Sequence, residues 1–165
     1  MVSLTDKHKQ TRLDWANEHA EDTFDEYIFS DYKRGKKPRR ERDRHPPQIL
    51  VWWAIGIDRK FKPVVIDGTL TGDKYLKLLR TRLPRKNGRP WIFQHDGATA
   101  HRAKKVTEYL DQHDIEHVRD WPARSPDLNP IENAWTIVNR GVFQRDPKTP
   151  KQLKEALWAA FEGVK

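Results

Sequence analysis

The chain contains no cysteine. That excludes a disulfide framework and a thiolate zinc site, and it permits a reducing compartment without requiring one. No apolar run approaches membrane-spanning length. The first residues, Met-Val-Ser-Leu-Thr-Asp-Lys, lack the apolar stretch of a secretory signal. Internal repeats are missing, and no linker divides the 165 residues, a length that suits one domain with one core.

What the chain does have is charge and tryptophan. Charged residues make up 34% and hydrophobic residues 36%, yet seven Trp and six Phe supply bulky core material. The net charge of +8 points to a polyanionic partner. Nucleic acid is favoured over membrane, because no basic amphipathic helix with a broad apolar face appears. The charge is concentrated: Lys33 to Arg44 holds eight Lys or Arg against Glu41 and Asp43. With Gly35, Pro38, Pro46 and Pro47 in or beside it, that run reads as irregular. A solvated loop, a nuclear-import signal and a phosphate-backbone contact all fit it.

In chain order, Thr5 caps a polar helix to about His19, whose weak apolar stripe places it on the surface of something larger. Tyr27 to Asp31 reads as a short strand that Asp31 ends. Ile49 to Ile55 is a continuous apolar run, as in a strand covered on both faces. Asp58 to Lys60 turns the chain, and Pro63 to Asp67 returns as its hairpin partner. Thr71 caps a helix with Tyr75, Leu78, Leu79 and Leu83 on its core-facing stripe. Pro84 to Pro90 is a basic turn. Trp91 to Asp96 is the next strand, stopped by Gly97. A helix from Thr99 to about His113 buries Ala103, Val106 and Leu110, and Ile115 to Val118 forms one more short strand. Thr149 and Pro150 open a last helix with Leu153, Leu157 and Phe161 inward. The order predicts an α/β or α+β layered domain with a mixed sheet covered by helices. Residues 1–25 form a helical lead-in, and 26–165 form the domain proper.

The most informative stretch is Trp121 to Trp135, Trp-Pro-Ala-Arg-Ser-Pro-Asp-Leu-Asn-Pro-Ile-Glu-Asn-Ala-Trp. Asn129 suits a cap, Pro130 the first helical position, and Glu132 the third, from which a carboxylate reaches back to the cap. Ile131, Trp135 and Val138 follow at helical spacing toward a core. Asp31 and Asp96 end strands and Glu132 opens a helix. In layered α/β folds such positions gather at the carboxyl ends of strands. If the two strands are neighbours, the three carboxylates converge. Such a set must protonate or take up a cation, and hard oxygen ligands favour Mg²⁺ or Mn²⁺. Two such ions activate an attacking oxygen and stabilise a leaving one in phosphodiester displacement.

The segments Ile28-Phe29-Ser30-Asp31, Val51-Trp52-Trp53, Phe93-Gln94-His95-Asp96-Gly97-Ala98-x-x-His101 and Trp121 to Trp135 together resemble the mariner superfamily of DDE transposases, over nearly the whole chain. The resemblance implies an α/β, ribonuclease H-like fold, a mixed central sheet with helices on both faces. It implies Asp31, Asp96 and Glu132 as the metal-liganding triad, and two Mg²⁺ or Mn²⁺ ions. The implied reaction is DNA strand cleavage at transposon ends and strand transfer to target DNA. It leaves a homodimer open. Lys33, Arg34, Lys36, Lys37, Arg39, Arg40, Arg42, His101 and Arg124 are the expected DNA contacts.

Departures from the family pattern are local. Tyr32 follows Asp31 where an acidic residue is usual, and Gly97 follows Asp96 where asparagine is usual. Only 17 residues separate Asp31 from Ile49, a short segment for the family, and 35 separate Asp96 from Glu132. The helix-turn-helix modules that read transposon ends in this family do not appear, so the chain reads as a catalytic core, a fragment or a decayed copy. The rival expectation is a catalytically silent, transposase-derived DNA-binding or interaction protein. Location would be the nucleus in a eukaryotic host and the cytoplasm otherwise.

Of the single residues, His101 either approaches the metal site or a phosphate, or sits on a helix surface. His95 alternates away from Asp96. Asp127 is better read as a turn former than as a metal ligand. Trp52, Trp53 and Trp135 are assigned to core packing. Lys104 and Lys105 fit a DNA contact and a solvated helix face equally.

Overall fold

The structure, a computed structural model, describes residues 4–36, 48–84 and 90–164. Lys37, Arg39, Arg40 and Arg42 of the basic run, and most of the basic turn after Pro84, lie outside the described residues.

The first helix, α1 (Asp6–Glu18), is capped by Thr5, whose hydroxyl accepts from the His8 amide while the His8 ring accepts from the Thr5 amide. That reciprocal pair satisfies two amides at the start of the helix. Its one buried residue is Trp15, which meets Trp121 edge-on at 5.0 Å.

The strands are β1 (Tyr27–Lys36), β2 (Gln48–Gly56), β3 (Arg59–Lys60), β4 (Val64–Ile66) and β5 (Ile92–Gln94). Their order is β3-β2-β1-β5, with β4 also on β2. The β1–β2 pair is antiparallel and β1–β5 parallel, so the sheet is mixed, as expected. Two sequence expectations need correction here. β1 does not end at Asp31; it continues to Lys36 because β2 pairs with it all the way to Gln48. Lys33 to Lys36 are therefore strand and not loop. At Gly35 a Cβ would stand 3.1 Å from a Leu157 methyl, so glycine there lets Leu157 pack closely on the strand. The expected strand at 115–118 reduces to one bridge, Phe93 with His117, and the chain bends at Arg119 directly afterwards.

Helices cover both faces. On one face α2 (Gly72–Arg82) and α3 (Lys104–Gln112) bury Tyr75, Leu78, Leu79, Val106 and Leu110 against Ile28, Trp52 and Phe93. On the other, α4 (Ile131–Arg145) and α5 (Pro150–Glu162) bury Ile131, Trp135, Val138, Leu153, Leu157 and Phe161 against Val51 and Trp53. β2 is thus apolar on both sides, which explains its uninterrupted run. Trp53, Trp135 and Phe161 meet edge to face at 4.7–5.6 Å. Each such pair contributes about 0.5–1.5 kcal/mol beyond area burial. The tryptophans belong to the core, as their sequence context indicates.

α3 starts at Lys104 and not at Thr99. The intervening residues turn instead, with the amides of His101 and Arg102 both donating to the Ala98 carbonyl. Asp96 organises that turn by accepting from the Ala98 amide at 3.1 Å.

Candidate active site

Strand pairing carries Asp31 and Asp96 to the same place. The parallel register sets Phe29 opposite Gln94, so Asp96, two residues on, leaves β5 beside Asp31. Period-two alternation puts Phe29, Asp31 and Lys33 on the face that α4 covers, where Asp31 lies opposite Trp53 and Lys33 opposite Val51. Tyr32 points to the opposite face, toward α2 and α3, so a tyrosine in that place removes no ligand. Gly97 meets nothing within 4 Å of a built Cβ, so its lack of a side chain relieves no crowding.

Glu132 arrives from the first turn of α4. The Asn129 side chain accepts from the Ile131 amide at 3.2 Å, and its carbonyl accepts from the Glu132 amide at 3.0 Å. Asn129 thus serves amides of the first turn, but the helix begins at Ile131, one residue later than expected, with Pro130 at the cap position and Glu132 second in the helix rather than third. The reciprocal half of the box does not form: the Asn129 amide donates to Pro126, and the Glu132 carboxylate is ion-paired with Lys33. Asn129 also does something its sequence position did not disclose. Its buried amide donates to the Gln94 side chain at 3.2 Å, tying the start of α4 to the end of β5. Gln94 in turn receives the Ser30 hydroxyl on its carbonyl at 2.9 Å. Ser30 and Gln94 lie beside the two aspartates and lock β1 to β5. A buried polar residue within an apolar strand is the signal that could have marked them.

Asp31, Asp96 and Glu132 line one pocket of about 370 Å³, walled by the loop Trp121 to Pro126 and Asn129. Its chemistry is that of a cation site. Burial, then the nearby Glu132 charge, pushes the Asp31 carboxyl up to about 7, against the pull of the Tyr32 amide and Lys33. One Asp31 oxygen, Oδ2, is buried with no hydrogen-bond partner. A buried carboxylate oxygen left in that state is costly unless it is protonated or meets a cation. The triad is open: among the described residues its oxygens do not all lie within 4.8 Å of one another, a spacing that Glu18, His19 and Asp120 reach at the surface. Glu132 leans to Lys33 and Asp96 to His101.

His101 is 1% exposed, and its Nδ1 lies 2.7 Å from Asp96 Oδ1. It is neither a helix-surface residue nor open to a DNA backbone, which departs from two expectations; its ring holds the Asp96 carboxylate instead. Burial opposes ionisation of Asp96, but the His101 hydrogen bond and charge outweigh it and keep that carboxyl below its usual value. The ring stacks on Tyr75 at 4.0 Å and on His95 at 5.1 Å. His95 is buried, bonds the Tyr75 hydroxyl at 3.0 Å, and is driven down to about 3 by burial and by neighbouring His101 and His117.

Among the other expected DNA contacts, Arg34 is exposed beside Gln48, and Arg124 lines the pocket at a left-handed φ of 59°. Lys33 is engaged by Glu132. Lys105 and Lys104 pair with Asp73 and Glu108 on the exposed face of α3, as a solvated helix surface does. Asp127 sits in a 3-10 turn, Pro126–Leu128, where Arg12 holds it.

The model of a family described as DDE superfamily endonuclease matches residues 16–154. The Tc3 transposase of Caenorhabditis elegans is 27% identical over 98% of this chain and 56% of its own length, so the chain spans little more than half of that relative. Among solved structures, the Mos1 transposase catalytic domain with Raltegravir and Mn superposes with a TM-score of 0.70 at 15% identity, over 99% of this chain and 92% of that one. A pre-cleavage Mos1 transpososome superposes with a TM-score of 0.74 at 15% identity, over 98% of this chain and 60% of that one. The expected ribonuclease H-like fold stands, shared with transposase and integrase catalytic domains. With its strand order, the three carboxylates on one pocket and the matched segment, the chain belongs to the DDE superfamily endonucleases.

Proposed function

We propose that this domain cuts DNA phosphodiester bonds with the help of two divalent ions, Mg²⁺ or Mn²⁺, and joins the freed 3′ end to target DNA. The observation that carries this reading is the common pocket of Asp31, Asp96 and Glu132, together with the buried, partnerless Asp31 Oδ2. These three carboxylates would hold the ions. When bound, the ions would supply an activated attacking oxygen and charge neutralisation at the leaving one.

The chain's own residues do the positioning. His101 fixes Asp96 through Oδ1, while Asn129 and Gln94 fix the start of the helix that carries Glu132. The proline-rich loop walls the pocket on one side. The net charge of +8 supplies attraction to the DNA backbone, with Arg34, Arg124 and the basic run as the surface that would follow it. The DNA partners are transposon ends and target. A homodimer is the proposed working unit, a reading supported by the Mos1 transposase paired-end complex whose fold this chain shares.

Supercoiled plasmid tests the reading. Purified protein should nick it with Mn²⁺ or Mg²⁺, not with chelator, and Asp96→Asn should abolish nicking. Equal nicking by wild type and Asp96→Asn would overturn it.

A further inference from the structure

The ion pair between Lys33 and Glu132 joins two residues to which the reading above gives separate tasks: one to bind DNA, the other to bind metal. β1 sets Lys33 two residues beyond Asp31 on the same face, and α4 brings Glu132 over it. The ammonium therefore stands next to one ligand carboxylate and close along the strand to another. Lys33 is not part of the pocket lining, so it reaches Glu132 from the rim. The pair is partly open, with side chains 36% and 28% exposed, so solvent, an ion or a phosphate can compete for it.

Glu132 does not depend on Lys33 for its placement. Its backbone is held by Asn129, and a carboxylate in the first turn of a helix is already favoured by the helix dipole. Lysine is also the cation suited to exchange. It is a compact charge on a flexible stem, without the planar fork that anchors arginine to a carboxylate.

We propose that Lys33 is an exchangeable counter-cation of the site. It neutralises Glu132 until a divalent ion takes that carboxylate, and the displaced ammonium then binds a phosphate of the DNA in the same cleft. The inference rests on the metal-dependent reading above. It adds an order of events, in which metal binding releases a DNA-binding charge.

The test is Mn²⁺ binding to the full chain, followed by the electron paramagnetic resonance of the free ion. Lys33→Gln removes the competitor and should bind Mn²⁺ more tightly, by roughly fivefold, the upper range for a partly exposed ion pair. Lys33→Arg keeps the charge and should stay near wild type. Should glutamine disturb the strand, Lys33→Met keeps the aliphatic stem and repeats the measurement. The second readout is anisotropy of a short labelled duplex. Without metal, Lys33→Gln and wild type should bind it equally. With Mn²⁺ the variant should bind more weakly, and its log-affinity versus log-salt slope should be flatter by about 0.9, one phosphate contact.

Mn²⁺ affinity of Lys33→Gln equal to or below that of wild type overturns the proposal, as does equal DNA binding by the two proteins in Mn²⁺. These failures are separable from failure of the metal reading itself. In the latter case wild type neither binds Mn²⁺ nor nicks plasmid; in the former it does both, and only the role of Lys33 falls.

Discussion

Arg12 of α1 grips Asp127 in the loop before α4, with Nη1 2.8 Å from Oδ1 and Nη2 2.5 Å from Oδ2. The same guanidinium donates to the Ser125 hydroxyl at 2.9 Å and to the Arg124 carbonyl at 3.2 Å. Arg124 holds a left-handed conformation that costs a non-glycine residue free energy, so the loop needs an external restraint. Arg12, which precedes the matched family segment, thereby braces the wall of the carboxylate pocket.

Arg12→Ala should lower stability by about 1–2 kcal/mol, as loss of a charged hydrogen bond does. Nicking should fall further, by about ten- to a hundredfold, because a misplaced wall misplaces the substrate. Arg12→Lys should recover stability better than rate, since lysine cannot form the fork. Thermal melts beside plasmid nicking check this; a rate loss no larger than the stability loss explains would make Arg12 structural only.

Asn129→Ala should weaken the cap of α4 and free its start from Gln94, at a cost of about 1–2 kcal/mol. Mn²⁺ affinity should fall with it, because Glu132 loses its register against Asp96. Calorimetric titration of Mn²⁺ into folded Asn129→Ala decides this, and an unchanged affinity would exclude the positioning role.

Two buried groups give the metal-free protein opposing responses to pH. Asp31 binds its proton up to about pH 7 when folded, against 3.8 when unfolded. Its contribution is therefore present at low pH and lost as pH rises through 7. His95 is the reverse, at about 3 folded against 6.5 unfolded, so it lowers stability as pH falls below 6.5. Asp31→Asn should gain melting temperature over wild type between pH 5 and pH 8, and the gain should shrink when Mn²⁺ is added at pH 8. A constant difference across that range contradicts the shift assigned to Asp31.

Trp53→Ala should cost about 3–5 kcal/mol, because the ring is fully buried between Trp135 and Phe161. Chemical denaturation measures it. A loss under about 1 kcal/mol would mean that the α4–α5 face collapses to fill the space.

Triple replacement of Arg39, Arg40 and Arg42 by alanine should weaken duplex binding and flatten the salt slope by roughly 0.9 for each residue that contacts a phosphate. An unchanged slope removes the basic run from the interface.

Much of the architecture was legible because its causes are local. Capping at Thr5, Thr71 and Thr149, the continuous apolar run of β2 and the helical spacing of Ile131, Trp135 and Val138 each arise from neighbouring residues. Where a partner decided the outcome, local reading stopped short. β1 runs past Asp31 because β2 keeps pairing with it, and α3 starts late because Asp96 draws the turn at Ala98 toward itself.

The sequence by itself determined the chemistry on offer: three carboxylates in recognisable motifs, a strongly basic chain, and a helix start that carries one of the acids. It also determined which side chains face a core, since hydrophobic period depends only on the geometry of a helix or strand. Tertiary structure alone decided that Asp31 keeps a buried oxygen without a partner, that His101 turns inward to Asp96, and that Lys33 meets Glu132. Those pairings join residues from different strands and helices, and a charge acquires its partner and its degree of burial only when the chain has closed around it.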